Sequence, residues 1–215
     1  MICVSIAEPN VKRCLAALEG IGLAEVRMER MVLAREDIRR IFASSAQLIA
    51  TCRPGPLPDD RRGRLLVDAI EAGASYVDVE IESEETLKRH IIEAARRQGC
   101  RVILSFHDYE KTPGLRRLNA IISRCFTEGA DVAKIACTVH SGRDNARLLG
   151  LLDRDRRGKK LIVVGMGEKG KITRIVAPFL GSPFSYASPS EGKETSEGQM
   201  TRKRLEAIME NIRHG

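Results

Sequence analysis

Lys134 lies in Asp131-Val132-Ala133-Lys134-Ile135-Ala136, an apolar run that reads as a buried strand with an amine near its end. Burying an ammonium is expensive, so the pKa of such a lysine is expected to fall. A neutral amine is the nucleophile that forms a Schiff base with a ketone. One strand earlier, Ser105-Phe106-His107-Asp108-Tyr109 sets a histidine at a strand's end, where a proton acceptor would face that amine. Each residue alone has a duller reading: a lysine that snorkels out of the strand end, and a histidine that merely closes a strand. The two on consecutive strands favour imine chemistry.

The elements that must position these groups recur at short intervals. Strand candidates begin near Ile2, Leu23, Gln47, Ser75, Arg101, Asp131, Leu161 and Ser182. Eight strands in 215 residues is about 27 residues per unit, the size of one strand–helix repeat. The intervening segments carry helical periodicity. From Ser83 to Gly99, Ser83 can act as N-cap and Glu84 and Glu85 fill the first turn. Leu87, Ile91, Ile92 and Ala95 then form an apolar stripe, closed by Gly99 as C-cap. Leu115 to Gly129 repeats the pattern, and Gln199 to His214 supplies the eighth helix. The expected fold is α/β, a single-domain (β/α)8 TIM barrel over residues 1–215. In such barrels the functional groups sit at the C-terminal ends of strands and in the loops that follow. The polar, small-residue segment from Ser188 to Gly198 follows strand eight and suits a mobile lid.

Read in order, the strand ends present Ser5, then Glu25 and Arg27, then Arg53, then Asp78 and Glu80, then His107, then Lys134, with Arg174 beyond strand seven. Residues two apart share a strand face, so Glu25 and Arg27 point together, as do Asp78 and Glu80. Each pair has a plain alternative as a structural ion pair at the barrel mouth. Three arginines near one lysine disfavour its protonation and together offer a carboxylate receptor. Glu80 is placed to bond the His107 ring and fix its tautomer. An amine for a carbonyl, a base for a proton and an arginine for a carboxylate describe a small keto acid losing a proton next to an imine.

Composition narrows the classes. Hydrophobic residues make up 43% and charged residues 30%, which fits a soluble globular chain. There is no run long enough to span a bilayer and no N-terminal signal segment, so no membrane partner is expected. The net charge of +7 comes from 36 Lys+Arg against 29 Asp+Glu, but aromatics are only 4% and the arginines are scattered, so no nucleic-acid partner is expected. Arg61-Arg62-Gly63-Arg64 and Arg154-Asp155-Arg156-Arg157 read as solvated helix faces, and an anionic small substrate explains the surplus as well. The six cysteines form no C-x-x-C pair and read as buried free thiols in a reducing, cytoplasmic compartment; neither metal nor cofactor is expected. Gly165-x-Gly167-x-x-Gly170 matches a dinucleotide fingerprint, but it sits in the seventh unit with 45 residues after it, so a tight turn at the barrel mouth is expected instead. Of the other histidines, His90 and His214 look inert and only His140 lies near the mouth.

The sequence resembles the type I 3-dehydroquinate dehydratases, the Schiff-base dehydratases of the shikimate pathway. The matching elements are Glu25-x-Arg27, Asp78-x-Glu80, Ser105-Phe106-His107-Asp108, Ala133-Lys134-Ile135-Ala136, Gly170-x-Ile172-Thr173-Arg174 and Gly198-Gln199, in order over nearly the whole chain. The resemblance implies that Lys134 forms the imine with 3-dehydroquinate and that His107 removes the neighbouring proton and returns it to the departing hydroxyl. It further implies that Glu80 pairs with His107 and that Arg174 grips the carboxylate with Gln199 and a lid hydroxyl. Glu25, Arg27 and Arg53 would bind ring hydroxyls, with Ser5 at the first strand end. The lid hydroxyl falls to Thr195, where many members have Ser, with Ser196 beside it as the alternative. Val26 and Glu197 depart from the common aromatic and Pro. The chain is expected to be a short form without the N-terminal hairpin of many bacterial members, and a homodimer. A Schiff-base aldolase on the same barrel is the competing enzyme reading, and a non-catalytic barrel the competing binding reading.

Overall fold

The computed structural model describes residues 1–55, 57–153 and 158–215, so the Arg154–Arg157 cluster lies outside the described residues. Its strands are β1 (Ile2–Ile6), β2 (Leu23–Arg27), β3 (Gln47–Thr51), β4 (Tyr76–Glu80), β5 (Arg101–Asp108), β6 (Val132–Thr138), β7 (Lys160–Met166) and β8 (Ser185–Ala187). Helices alternate with them: α1 (Val11–Leu18), α2 (Arg35–Phe42), α3 (Asp59–Glu71), α4 (Glu85–Gln98), α5 (Leu115–Thr127), α6 (Gly142–Leu149), α7 (Lys171–Val176) and α8 (Arg202–His214). The hydrogen-bonded strand order is β7-β6-β5-β4-β3-β2-β1-β8, which is chain order with β8 returning beside β1. This is the (β/α)8 arrangement expected from the sequence. Among the described residues no helix is long and apolar enough to cross a membrane.

The chain divides into two compact units, Ser5–Leu104 and Met1–Val4 with Ser105–Gly215. In the first, β2 pairs with β3 and β3 with β4, all parallel, with Arg27 opposite Thr51 and Thr51 opposite Asp78. In the second, β6 pairs with β7 along its whole length and β1 pairs with β8 through Ile2–Ser185, Cys3–Tyr186 and Val4–Ala187. The strands are buried almost continuously rather than at alternate positions, as expected where helices cover a parallel sheet. All five residues of β4 are buried, including Asp78 and Glu80, so those carboxylates need partners inside the protein.

Element boundaries follow the sequence reading closely, with three corrections. Helix α4 does end on Gly99 in the left-handed region at φ 67°, but it starts at Glu85 with Glu84 as N-cap, so Ser83 does not cap it. Strand β8 begins at Ser185 rather than Ser182. Pro183 has no N–H to give a ladder, and Ser182 turns back to bond Ala177 and Phe184. Helix α8 begins at Arg202 because Thr201 caps it, accepting the Arg204 N–H. Gln199 and Met200 thereby lie outside the helix, and Met200, Leu205 and Met209 pack on Ala187 of β8.

Candidate active site

In the unit Ser5–Leu104 the strand ends build a charge cluster around Arg53. Its Nη1 and Nη2 bind Asp78 Oδ1 and Oδ2 at 2.9 and 2.8 Å, a bidentate fork. Nη1 also reaches Glu80 Oε1 at 2.5 Å, and Nη2 lies 3.5 Å from Glu25 Oε1. Burial alone would lower the Arg53 pKa, but Asp78 and Glu80 outweigh it and hold it well above the ordinary value. Thr51 donates to the same Glu25 oxygen at 3.1 Å. Arg27 does not pair with Glu25: its Nε and Nη2 bind Glu29 at 2.8 and 2.6 Å, and Glu29 also accepts the Arg53 N–H. Ser5 is buried near the end of β1.

Within this unit Glu80 has one oxygen on Arg53 and the other on Arg62 Nη2, at 2.9 Å. Arg62, read from sequence as solvated, is 1% exposed. Its neighbours Arg61 and Arg64 are exposed, as expected.

In the unit Met1–Val4 with Ser105–Gly215, Lys134 is 5% exposed on β6. It is the third residue of a seven-residue strand rather than near its end, so the length of its side chain must carry the amine toward the C-terminal rim. The amine lies 4.3 Å from the centroid of the Tyr186 ring. His107 is the last residue but one of β5, with its ring stacked on Tyr109, centroids 6.0 Å apart and planes 12° from parallel. Asp108 fixes the turn after it by accepting the Glu110 and Lys111 N–H groups. His140 is exposed and its Nε2 is 2.6 Å from the Glu110 carbonyl, so its ring is spent on holding a loop.

Arg174 on α7 is 1% exposed, and its partners among the described residues are neutral oxygens. Nη1 reaches the Tyr186 carbonyl at 3.5 Å; Nη2 reaches Ser196 Oγ at 3.1 Å and the Glu197 carbonyl at 3.3 Å. Its Nε has no hydrogen-bond partner. Burial without a carboxylate lowers its pKa to about 10. Ser196 thus supplies the hydroxyl that Arg174 reaches, while Thr195 bonds Gln199 Oε1 through its N–H and its hydroxyl at 2.8 and 3.3 Å. A cleft of about 520 Å³ is lined by Glu168 and residues 194–199.

The Gly165–Gly170 motif has a packing explanation. A Cβ on Gly165 would lie 2.9 Å from Gly170 Cα, and one on Gly170 would overlap the Gly165 carbonyl. The glycines let β7 and the start of α7 touch, which with Thr173 bonded to Gly165 N and Gly170 O places Arg174.

The comparisons with known proteins identify the family. The family model for type I 3-dehydroquinase matches residues 2–215. The chain is 32% identical to the 3-dehydroquinate dehydratase of Methanosarcina mazei, over 99% of this chain and 94% of that one. It is 36% identical to that of Methanococcus maripaludis strain C5, over 99% and 100%. The type I 3-dehydroquinate dehydratase of Clostridium difficile superposes with a TM-score of 0.86 at 21% identity, over 98% of this chain and 91% of that one, which supports the barrel fold. The chain belongs to the type I 3-dehydroquinases.

Within this type I 3-dehydroquinase, sequence reading missed Glu29, Tyr186 and Arg62. Glu29 lies just past the end of β2 in a 3-10 turn, where strand alternation gives no guide. Tyr186 sits two residues before the segment assigned to the lid. Arg62 had a visible signal: it precedes Leu65, Leu66, Ala69 and Ile70 at helical spacing, all buried on α3.

Proposed function

We infer that this type I 3-dehydroquinase is a lyase that converts 3-dehydroquinate to 3-dehydroshikimate and water, within the shikimate pathway of aromatic amino acid biosynthesis. Residues 1–215 act as one catalytic domain. The observation that carries the reading is a buried amine beneath Tyr186 in the same unit as Arg174, a buried guanidinium whose partners are all neutral oxygens. A desolvated guanidinium without a carboxylate suits a carboxylate ligand, and an amine nearby suits that ligand's ketone.

Lys134 Nζ adds to the ketone carbon, and loss of water gives the imine. The protonated imine acidifies the adjacent methylene. His107 takes one proton from that carbon, the electron pair moves toward the imine nitrogen, and the resulting enamine expels the hydroxyl from the next carbon. His107 then returns its proton to the departing oxygen, which leaves as water. A second water hydrolyses the imine and frees Lys134. Arg174 holds the carboxylate through these steps, with Ser196, Thr195 and Gln199 closing over it. For the ring hydroxyls we propose Glu25, Arg27 and Arg53, as the resemblance implies, with Asp78 as a further acceptor in the Arg53 cluster and Ser5 adding a hydroxyl at the first strand end. Glu80 belongs to this charge network and is the residue that the resemblance pairs with the His107 ring. A Schiff-base aldolase would share Lys134, but the family match sets that reading aside.

Borohydride added with 3-dehydroquinate should leave a stable adduct on the peptide carrying Lys134. The His107→Ala variant should still be trapped while losing roughly 10²–10⁴ in rate. Turnover without any adduct, or an adduct mapped elsewhere, would sink the reading. A cytoplasmic homodimer completes the proposal: six buried thiols outside any disulfide support a reducing compartment, and sedimentation velocity tests the dimer.

A further inference from the structure

Arg62 is joined to three elements at once. Its Nε donates to the Cys52 carbonyl at 3.0 Å, just before Arg53 at the end of β3. Its Nη1 binds Asp59 at 2.5 Å in the first turn of α3, and its Nη2 binds Glu80 Oε2 at 2.9 Å at the end of β4. It is 1% exposed, among the largest fully buried side chains of the protein. Glu80 is thus held at both oxygens, by Arg62 on one and Arg53 on the other.

The charge count explains why a second arginine is needed. Arg53 faces three carboxylates, those of Glu25, Asp78 and Glu80. One guanidinium carries one positive charge against three buried carboxylates, and uncompensated charge in such a place is costly. Arg62 brings a second positive charge, placed against Glu80 Oε2. It also fixes the direction from which Glu80 meets Arg53, because a planar fork bonded at three points has little freedom to turn. A lysine could supply the charge but not the three-point geometry.

We propose that Arg62 is a positioning residue for the substrate site: acting through Glu80, it sets the orientation of Arg53 and thereby of the Glu25 and Asp78 acceptors. This rests on the dehydratase reading, since those acceptors matter only if the ligand has ring hydroxyls. Arg62 itself does not touch the substrate.

The test is a double-mutant cycle read in KM and kcat for 3-dehydroquinate, with thermal unfolding followed in parallel. Arg62→Lys should raise KM about tenfold and lower kcat by less than threefold, and Arg62→Met should raise KM further. In an Arg53→Met background, Arg62→Lys should change KM by less than twofold, because the residue through which it acts is gone. If Arg62→Met does not fold, Arg62→Lys carries the cycle. A KM within twofold of wild type in Arg62→Lys, a fall in kcat as large as the rise in KM, or an equal KM penalty with and without Arg53 would each overturn the inference. Wild-type protein without turnover of 3-dehydroquinate would instead strike the dehydratase reading, and this inference with it.

Discussion

Arg174 is the residue at which stability and binding oppose each other. Its pKa in the folded protein, about 10, lies below the ordinary 12.5 because it is buried. The unfolded chain therefore holds that proton more tightly, and at neutral pH the charged group costs folding free energy that is recovered only as pH rises through about 10 and beyond. A carboxylate ligand offsets the same cost. Arg174→Met should therefore raise the unfolding midpoint of the ligand-free protein, by roughly 2–4 °C for each kcal/mol relieved, while KM rises on the order of 100-fold, for about 3 kcal/mol of charge-assisted bonding lost. Gln199→Ala removes a neutral amide and should cost less. Calorimetry and steady-state kinetics check both; a variant that is destabilised as well as impaired would show that Arg174 is structural. Lys134, His107 and Arg174 were legible as candidates because a charged or titratable group within an apolar strand, or shortly after one, has few ordinary explanations. Arg62 was not, because its neighbours Arg61 and Arg64 are solvated, and a run of like charges hides the one member that lies in an apolar stripe. The Arg27–Glu29 pair was hidden for a different reason: alternation along β2 points to Glu25, while the true partner sits beyond the strand where alternation has ended.

At the scale of elements, the contact between β7 and α7 decides where Arg174 stands. Gly170→Ala would drive a methyl into the Gly165 carbonyl, with backbone on both sides and no flexible side chain to give way. Overpacking of this kind costs about 1–3 kcal/mol, and the shift should move Arg174 as well. The variant should lose stability and raise KM together, unlike Arg174→Met. Gly192→Ala, where no atom lies within 4 Å but φ is 75°, should lose only a modest amount of stability, and normal KM there with a raised KM in Gly170→Ala would separate the two effects. The lid splits in a way its composition did not reveal. Residues 190–194 are exposed, whereas the stretch from Ser196 to Gln199 is pinned: Glu197 accepts the Gly167 N–H at 3.1 Å, and Ser196 and Glu197 meet Arg174. Hydrogen exchange in the ligand-free protein should be fast over 190–194 and slower over 196–199, with product slowing the first group most. Uniform exchange across the whole segment, unaltered by product, would rule out a lid with a fixed base. The strand count was readable because each apolar run is nearly fully buried; the short β8 was placed three residues early because the seryl and prolyl residues before it resemble strand flanks in sequence while their backbone groups bond locally.

At the scale of the whole molecule, the six cysteines report how the fold opens. All are buried, and none is in a disulfide. Burial is the first cause that raises the thiol pKa of Cys14 to about 11 and of Cys52 and Cys137 to about 12, with Glu8, Glu29 and Asp108 adding to it respectively. The thiolate is the reactive form, so at pH 8 a thiol of pKa 12 is ionised to about one part in ten thousand and is shielded from reagent besides. These cysteines lie on different elements: Cys3 on β1, Cys14 on α1, Cys52 just after β3, Cys100 before β5, Cys125 on α5 and Cys137 on β6. Cys52 is the most informative, because its carbonyl is the one Arg62 holds and it precedes Arg53 in the chain. An aromatic disulfide reagent at pH 8 should leave the native protein essentially unlabelled over minutes and label six thiols once denaturant is added. Native-state labelling should follow unfolding, and ligand should slow all six sites by the same factor, since binding to the folded state alone lowers the open population uniformly. Mass mapping of partly labelled protein distinguishes global from local opening. Early labelling confined to Cys52, at a rate that ligand does not change, would show that the end of β3 opens by itself; the charge cluster at Arg53 would then be a flexible feature rather than the rigid support that the proposed chemistry requires.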